Sequence, residues 1–274
     1  MPKKPKFRRA FSLLIAFLFI FECFPARTFA ASAPALTYSI DVEGAKESSG
    51  TNVFYASQRG DTVTVRFVMR RTDSQESYSL NTMQNEIEYD MSFFEFAEDS
   101  ISVEKSGLDA ELQTRVMGQE IVKVSALNGS EFAPEQVMCS FQLKIKSGAE
   151  SDSGWVRCSE AKAVATDYAS ATVTERNLEV RLKQSGLTVT ATGYDAAYDG
   201  AEHAVTATPN ITDGTTVEYS VDNGASWSET APSRKDAGTT QVKVRARNDP
   251  YFDATADAVL NVTPKALTVT ANAA

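Results

Sequence analysis

His203 is the only histidine among the 274 residues. Metal sites that need two histidines, including the HExxH zinc motif, therefore cannot occur in this chain. Lys and Arg together number 27 against 36 Asp and Glu, and this net charge of −9 excludes the broad basic surface that nucleic-acid phosphates require. We expect no metal, no cofactor and no nucleic-acid partner.

Long apolar runs are missing from the chain except near its start. Basic residues between Lys3 and Arg9 precede an apolar run of twelve, Ala10 to Phe21, and small residues follow around Ala30. Twelve residues are too few to cross a bilayer of about 30 Å as a helix. The pattern predicts a secretory signal peptide over residues 1–30, with an uncleaved membrane anchor as the alternative. We therefore expect a secreted or cell-surface protein without membrane insertion after signal removal.

Most of the remaining chain consists of short segments in which apolar and polar residues alternate. Two of the longer examples are Val63 to Met69 and Val137 to Ile145, and turn-forming residues separate such segments. Alternation of this kind predicts strands with one face on a core and the other in water. Met138 is on the outward side of this pattern. The inward set of the second segment is Val137, Cys139, Phe141, Leu143 and Ile145. Many short strands without a long helical segment predict an all-β protein built of β-sandwiches.

Cys139 and Cys158 are the two cysteines beyond the predicted signal peptide. Each shares its strand face with apolar residues, so both are expected to point inward. Export permits a disulfide between them. A pair of separately buried thiols is the alternative, because the sequence does not bring the two Cα atoms within bridging distance.

An internal repeat divides the chain. The five letters LTVTA occupy residues 187–191 and again residues 267–271, an offset of 80 residues. We predict a first domain over 35–183 and a complete module over 186–264, with 265–274 as the first strand of a truncated further repeat.

The second module has a family resemblance. Its segments Tyr198–Val205 (YDGAEHAV), Val217–Trp227 (VEYSVDNGASW) and Lys235–Thr239 (KDAGT) resemble the MBG/YDG type of bacterial immunoglobulin-like repeat. Such repeats occur in tandem in large secreted and cell-surface proteins. The resemblance implies a small immunoglobulin-like sandwich that acts as a spacer or adhesive stalk.

The first domain resembles the cohesins. Gly60–Val65 (GDTVTV), Ile87–Asp90 (IEYD) followed by Phe94–Phe96 (FEF), and Cys139–Lys146 (CSFQLKIK) are similar to the pattern of that family, although Met91 stands where the family usually has Pro. The resemblance implies a jelly-roll β-sandwich related to carbohydrate-binding modules. It also implies binding of dockerin domains in extracellular polysaccharide-degrading assemblies.

The sequence offers little for catalysis. Glu86 and Glu88 share one side of a strand by parity, and a glycosidase uses a carboxylate pair about 5–10 Å apart. An ordinary solvated acidic face accounts for the same pair, and no nucleophile motif accompanies His203. We expect a protein that is not an enzyme and has no catalytic residues.

The resemblance assigns a binding face. Strand parity places Ile87 and Tyr89 inward, and the cohesin pattern puts this strand in the dockerin-facing sheet. The expected partner-binding residues are Thr82, Gln84, Glu86 and Glu88, with the two glutamates meeting basic groups of a dockerin-like partner. The sequence thus favours a non-catalytic scaffolding module on an immunoglobulin-like spacer. The alternatives are a carbohydrate-binding module that takes an extracellular polysaccharide and a purely structural surface repeat.

Overall fold

The computed structural model describes residues 35–165 and 171–269, which form 21 strands. Within these ranges there is no helix, and hence none long and apolar enough to cross a membrane. The prediction of an all-β fold is confirmed. The predicted signal peptide, residues 1–30, lies outside the described residues.

The first thirteen strands form two sheets. One sheet has the order β12-β1-β4-β10-β6, with β7 also paired to β10, and the other has the order β2-β3-β13-β11-β5-β9-β8. Their bounds are β1 Ala35–Asp41, β2 Lys46–Ser48, β3 Thr51–Ala56, β4 Thr62–Arg71, β5 Tyr78–Tyr89, β6 Phe94–Phe96, β7 Ser102–Val103, β8 Leu108–Thr114, β9 Glu120–Phe132, β10 Glu135–Ile145, β11 Ser153–Ala165, β12 Thr172–Arg176 and β13 Leu178–Leu182.

A single hydrophobic core lies between these two sheets. Phe67 and Phe141 of the six-stranded sheet belong to the same buried cluster as Ile87 and Val156 of the seven-stranded sheet. Two sheets that bury one face each against the other form a β-sandwich. The side of each sheet that points away from this core is available to solvent or to a partner.

The alternation predicted for β4 is observed, but the pattern predicted for β10 is wrong at one end. Val63 and Phe67 of β4 are buried in the core. In β10 the register shifts between Val137 and Cys139, so Met138 is buried in the core and Val137 is only half-buried. A β-bulge adds one residue to a strand and reverses the side-chain parity beyond it.

Gly154 in β11 is required by close packing. An added Cβ would lie 2.3 Å from Cδ1 of Phe93, which is fully buried. No larger residue fits at this position unless the phenylalanine ring moves.

The remaining eight strands surround a second, separate hydrophobic cluster that includes Leu187, Val244 and Leu260. They form a four-stranded sheet of order β15-β21-β20-β18 and two strand pairs, β14 with β17 and β16 with β19. Their bounds are β14 Val189–Thr192, β15 Tyr194–Ala197, β16 His203–Ala204, β17 Thr206–Pro209, β18 Thr216–Ser220, β19 Ser233–Arg234, β20 Gly238–Arg247 and β21 Ala254–Thr263.

The two copies of the LTVTA repeat differ in structure. Leu187 and Val189 of the first copy are buried in the second core. Leu267 and Val269 of the second copy are exposed, and residues 264–269 form no strand. The remainder of that copy lies outside the described residues, so the further repeat over 265–274 stays a prediction.

The segment between the two cores makes backbone contacts. The Gln184 N–H donates to the Pro250 carbonyl at 2.7 Å, and the Phe252 N–H donates to the Gln184 carbonyl at 3.0 Å. The polar joint predicted at residues 183–186 therefore pairs with the β20–β21 loop.

Candidate binding face

The four residues expected to bind a partner lie on one strand, β5, near the middle of the seven-stranded sheet. Thr82, Gln84 and Glu86 are half-buried on its outer face, and Glu88 follows them on the same side. The alternate residues, including Ile87, point into the core. The geometry agrees with strand parity, whereas a binding role for the four residues stays a prediction.

Neighbouring strands extend this face on both sides of β5. We use the name outer face for the solvent side of β11, β5, β9 and β8. Registers place Lys162 and Ser125 beside Gln84, Lys123 beside Glu86, and Arg157 beside Glu88. The Lys123–Glu86 and Arg157–Glu88 neighbours are cross-strand pairs of opposite charge, which stabilise a sheet, whereas Glu160 of β11 lies beside Glu86 as a like charge.

Two arginines bind the glutamates of β5. Arg115 donates hydrogen bonds to both Glu86 and Glu88. Arg157 donates through Nε and Nη2 to Glu88 Oε2, at 3.2 and 3.0 Å. Charged hydrogen bonds of this kind are about twice as strong as neutral ones. The four side chains form a compact, charge-balanced cluster at one end of the outer face.

The pKa of Glu88 is shifted in the direction opposite to that of a general acid. Burial alone would raise the pKa of Glu88, but hydrogen bonds from Arg157 and Arg115 outweigh it and hold the pKa below its ordinary value. A glycosidase acid must keep its proton near neutral pH and needs a raised pKa. Glu88 is therefore an ionised carboxylate with a structural bonding pattern.

Glu86 and Glu88 are not freely solvated carboxylates, and a contact between them and basic groups of a partner stays a prediction. Glu88 is only 7% exposed, and this chain's own arginines take its acceptor positions. The cause is a contact distant in sequence, since Arg115 lies 27 residues from Glu88. Sequence reasoning missed both Arg115 and Arg157, because alternation along a strand does not give the strand's neighbours.

Among the residues of the first sandwich whose side chains the structure describes, the most exposed apolar ones lie in the β8–β9 turn. Val116 is 94% exposed and Met117 is 100% exposed. Met117 has φ +84°, a left-handed conformation that is uncommon for a residue with a side chain. Arg115 N–H donates to Gln119 O at 2.7 Å, and Gly118 N–H donates to Arg115 O at 3.0 Å. Gln119 Nε2 also donates to Glu120 O at 3.0 Å. We call Val116–Met117 the apolar tip; its flanking residues fix it to the outer face.

Both tryptophans stack against arginine. The Arg157 guanidinium lies 4.1 Å from the Trp155 ring centroid, and that of Arg245 lies 4.2 Å from the Trp227 centroid. These are cation–π distances. A carbohydrate surface needs aromatic rings free to stack on sugars, and here one face of each indole is covered.

Cys139 and Cys158 are free, buried thiols on the two facing sheets of the first sandwich. The structure thus has the second of the two alternatives, separate thiols, instead of a bridge. Burial raises the pKa of each thiol to about 12. Because the thiolate is the reactive form, both cysteines are expected to be inert in the folded protein.

His203 belongs to the second set of strands. It stacks on the Tyr194 ring with a centroid distance of 3.5 Å, and its Nε2 lies 3.1 Å from Asp199 Oδ1. Across residues 35–165 and 171–269 no group of three or more His, Cys, Asp or Glu side chains is arranged to hold a metal ion.

Comparison with known proteins gives structural similarities only. No family model matches the chain, and no curated protein matches it. The sixth cohesin of scaffoldin B from Acetivibrio cellulolyticus, solved in complex with a dockerin, has 18% identity and a TM-score of 0.40, covering 54% of this chain and 99% of the cohesin. A cohesin module of a Clostridium perfringens family 33 glycoside hydrolase has 14% identity and a TM-score of 0.40, covering 55% and 96%. A non-cellulosomal cohesin from Archaeoglobus fulgidus has 10% identity and a TM-score of 0.38, covering 55% and 92%. At these values the matches do not establish a family for this chain.

Proposed function

We propose that this protein is an exported, non-catalytic binding module. Residues 35–183 bind a dockerin-type protein through the outer face, and residues 186–264 act as a spacer. The proposal is supported by the GDTVTV, IEYD and CSFQLKIK segments of the sequence. It is also supported by the position of the expected binding residues on one solvent-facing strand surface.

The observation that carries the proposal is the apolar tip beside the charged cluster. Two adjacent apolar side chains in full contact with water offer a partner apolar surface to bury, which favours association. Burying Val116 and Met117 against a partner contributes about 1.5–3 kcal/mol each. The backbone of the turn is held by two hydrogen bonds, which reduces the conformational entropy lost on binding.

The charged cluster has a different role in this interface. Because Glu86 and Glu88 are already bonded to arginines, they do not supply unpaired charge to a partner. They hold Arg115, and with it the apolar tip, in position. Thr82 and Gln84 lie further along β5, away from the apolar tip, and remain available as hydrogen-bonding groups for a partner that extends along the outer face.

Direct binding measurements test this function. A panel of purified dockerin modules, including that of the Acetivibrio cellulolyticus complex, is passed over immobilised residues 31–274. We expect saturable binding by at least one dockerin and at least tenfold weaker binding by a Val116→Ser/Met117→Ser variant, mainly through a faster off-rate. The matched control is Val221→Ser, which changes a valine that is 59% exposed next to the other core.

Two outcomes contradict the proposal. One is the absence of binding to every dockerin of the panel by a protein that unfolds cooperatively. The other is dockerin binding that both variants retain in full, which moves the interface away from the outer face.

A further inference from the structure

β8 is the last strand at its end of the seven-stranded sheet within the described part of the chain. Its side away from β9 therefore presents backbone groups without a ladder partner. The Arg115 N–H donates to Gln119 O, so Arg115 and Gln119 form a hydrogen-bonded pair at the end of the β8–β9 ladder. Since bonded and non-bonded pairs alternate in an antiparallel ladder, the N–H and C=O groups of Ala110, Leu112 and Thr114 point away from β9.

The inner face of β8 is incompletely covered. Leu108 and Ala110 pack against the first core, whereas Leu112, the next residue on that face, is 37% exposed. Leu112 is paired with Val122, which is fully buried. An inward leucine is thus left uncovered at the sheet edge.

A slot lies beside Leu112, between the edges of the two sheets. It has a volume of about 470 Å³, and its lining is Phe96, Glu98, Asp99, Ile101 and Leu112. Phe96 is supported from behind by Phe141, with ring centroids 6.0 Å apart. The slot has an apolar floor and two exposed carboxylates at its rim.

We propose that this edge is a docking site for an extended peptide segment of a protein partner. The segment adds to β8 as a further strand, and it turns toward the slot an aliphatic residue and, two positions along, a Lys or Arg. Backbone bonds to Ala110, Leu112 and Thr114 hold it, and an aliphatic side chain covers Leu112 in the slot. The basic side chain, on the same side of the added strand, meets Glu98 and Asp99 at the rim of the slot. Strand addition of this type obtains affinity from the main chain and specificity from alternate side chains.

The site is distinct from the outer face. It uses the edge and inner side of β8, whereas Gln84 and Glu86 lie two strands away on the solvent side of the sheet. The two sites can therefore be tested separately, and loss of one does not require loss of the other.

A synthetic peptide tests the proposal. The probe is acetyl-Thr-Val-Thr-Lys-Thr-Val-Thr-amide with a fluorescent label, which places valine and lysine on one face of the strand. Its partner peptide carries N-methyl groups on alternate residues, which removes strand donors without changing charge. We expect saturable binding of the first peptide and at least tenfold weaker binding of the second. Hydrogen exchange at the amides of Ala110, Leu112 and Thr114 should slow at least tenfold in the complex.

Variants of the slot give an independent readout. Leu112→Asp and Glu98→Gln/Asp99→Asn should each weaken peptide binding at least tenfold, while Val221→Asp should bind as the unchanged protein does. The rim variant keeps the test valid if Leu112→Asp lowers stability. The proposal is overturned by absence of saturable binding, by equal binding of the N-methylated peptide, or by protection that appears away from β8.

Discussion

Arg115 and Glu88 form an ion pair between the β8–β9 turn and strand β5 of the first sandwich. The pair orders a turn whose own residues are apolar and exposed. Because Arg157 binds the other carboxylate oxygen of Glu88, this glutamate is the point at which β5, β11 and the turn are joined.

Replacing Glu88 by Gln should destabilise the first sandwich by about 1–3 kcal/mol, because two arginines lose a charged acceptor. Urea unfolding followed by circular dichroism measures the change. Glu160→Gln is the matched control, since Glu160 pairs with Lys162 at 3.0 Å on an exposed part of the same sheet, and it should have little effect. Equal effects of the two substitutions would show that the Glu88 cluster adds no special stability.

The same cluster predicts a dependence of stability on pH. The pKa of Glu88 is lowered in the folded state from its reference of 4.5. A lowered folded pKa gives a contribution that is complete above pH 4.5 and is lost as the pH falls through the folded value. Unfolding free energies measured from pH 6 to pH 3 should therefore fall less steeply for Glu88→Gln than for the unchanged protein. Parallel curves would contradict this assignment.

Gly154→Ala should destabilise the first sandwich by about 1–3 kcal/mol, because the added methyl group meets the buried Phe93 ring. Gly148→Ala is the control, since nothing lies within 4 Å of a Cβ at that position. Thermal unfolding of both variants measures the difference. A stability for Gly154→Ala equal to that of the control would mean that the ring moves aside freely.

The thiols of Cys139 and Cys158 should resist alkylation in the folded protein at pH 8, because burial raises the pKa of both to about 12. In urea without reductant, iodoacetamide should modify both cysteines. Intact-mass measurements before and after reduction give the number of modified thiols. A mass that shows no alkylation until reductant is added would instead establish the disulfide.

The proposed division near residues 183–186 is tested by producing residues 31–184 and 186–264 separately. Each fragment should unfold cooperatively, since each contains one of the two hydrophobic clusters. The second fragment loses the Gln184 bonds to the β20–β21 loop, so we expect it to be the more weakened of the two. If either fragment lacks cooperative unfolding while the joined chain shows it, the boundary is misplaced.

Local pattern predicted much of this fold. The alternation of Val63, Val65 and Phe67 gave both the strand and its buried face, because one-sided burial imposes a period of two. The same rule failed at Val137, where a β-bulge inserts one residue. A bulge depends on the partner strand, and the sequence of β10 alone contains no signal for it.

The candidate site was predictable only in part, for a similar reason. Parity correctly grouped Gln84 and Glu86 on one face, but their neighbours come from strands far away in the chain. Arg157 lies beside β5 through strand pairing, and the Arg115 side chain reaches β5 from the β8–β9 turn; single-sequence periodicity specifies neither contact. The exposed apolar tip was also missed, although the apolar pair Val116–Met117 directly before Gly118 was a usable signal of a turn with an unusual surface.

The pairing of each tryptophan with an arginine provides a spectroscopic reporter for each half of the protein. Trp155 lies in the strands of the first sandwich and Trp227 beside those of the second core, and the chain has two tryptophans in total. Unfolding separates each indole from its guanidinium and exposes it to water, which shifts its emission. A Trp227→Phe variant therefore reports the first sandwich alone, and a Trp155→Phe variant reports the second, so the coupling between the halves can be measured by fluorescence without cutting the chain.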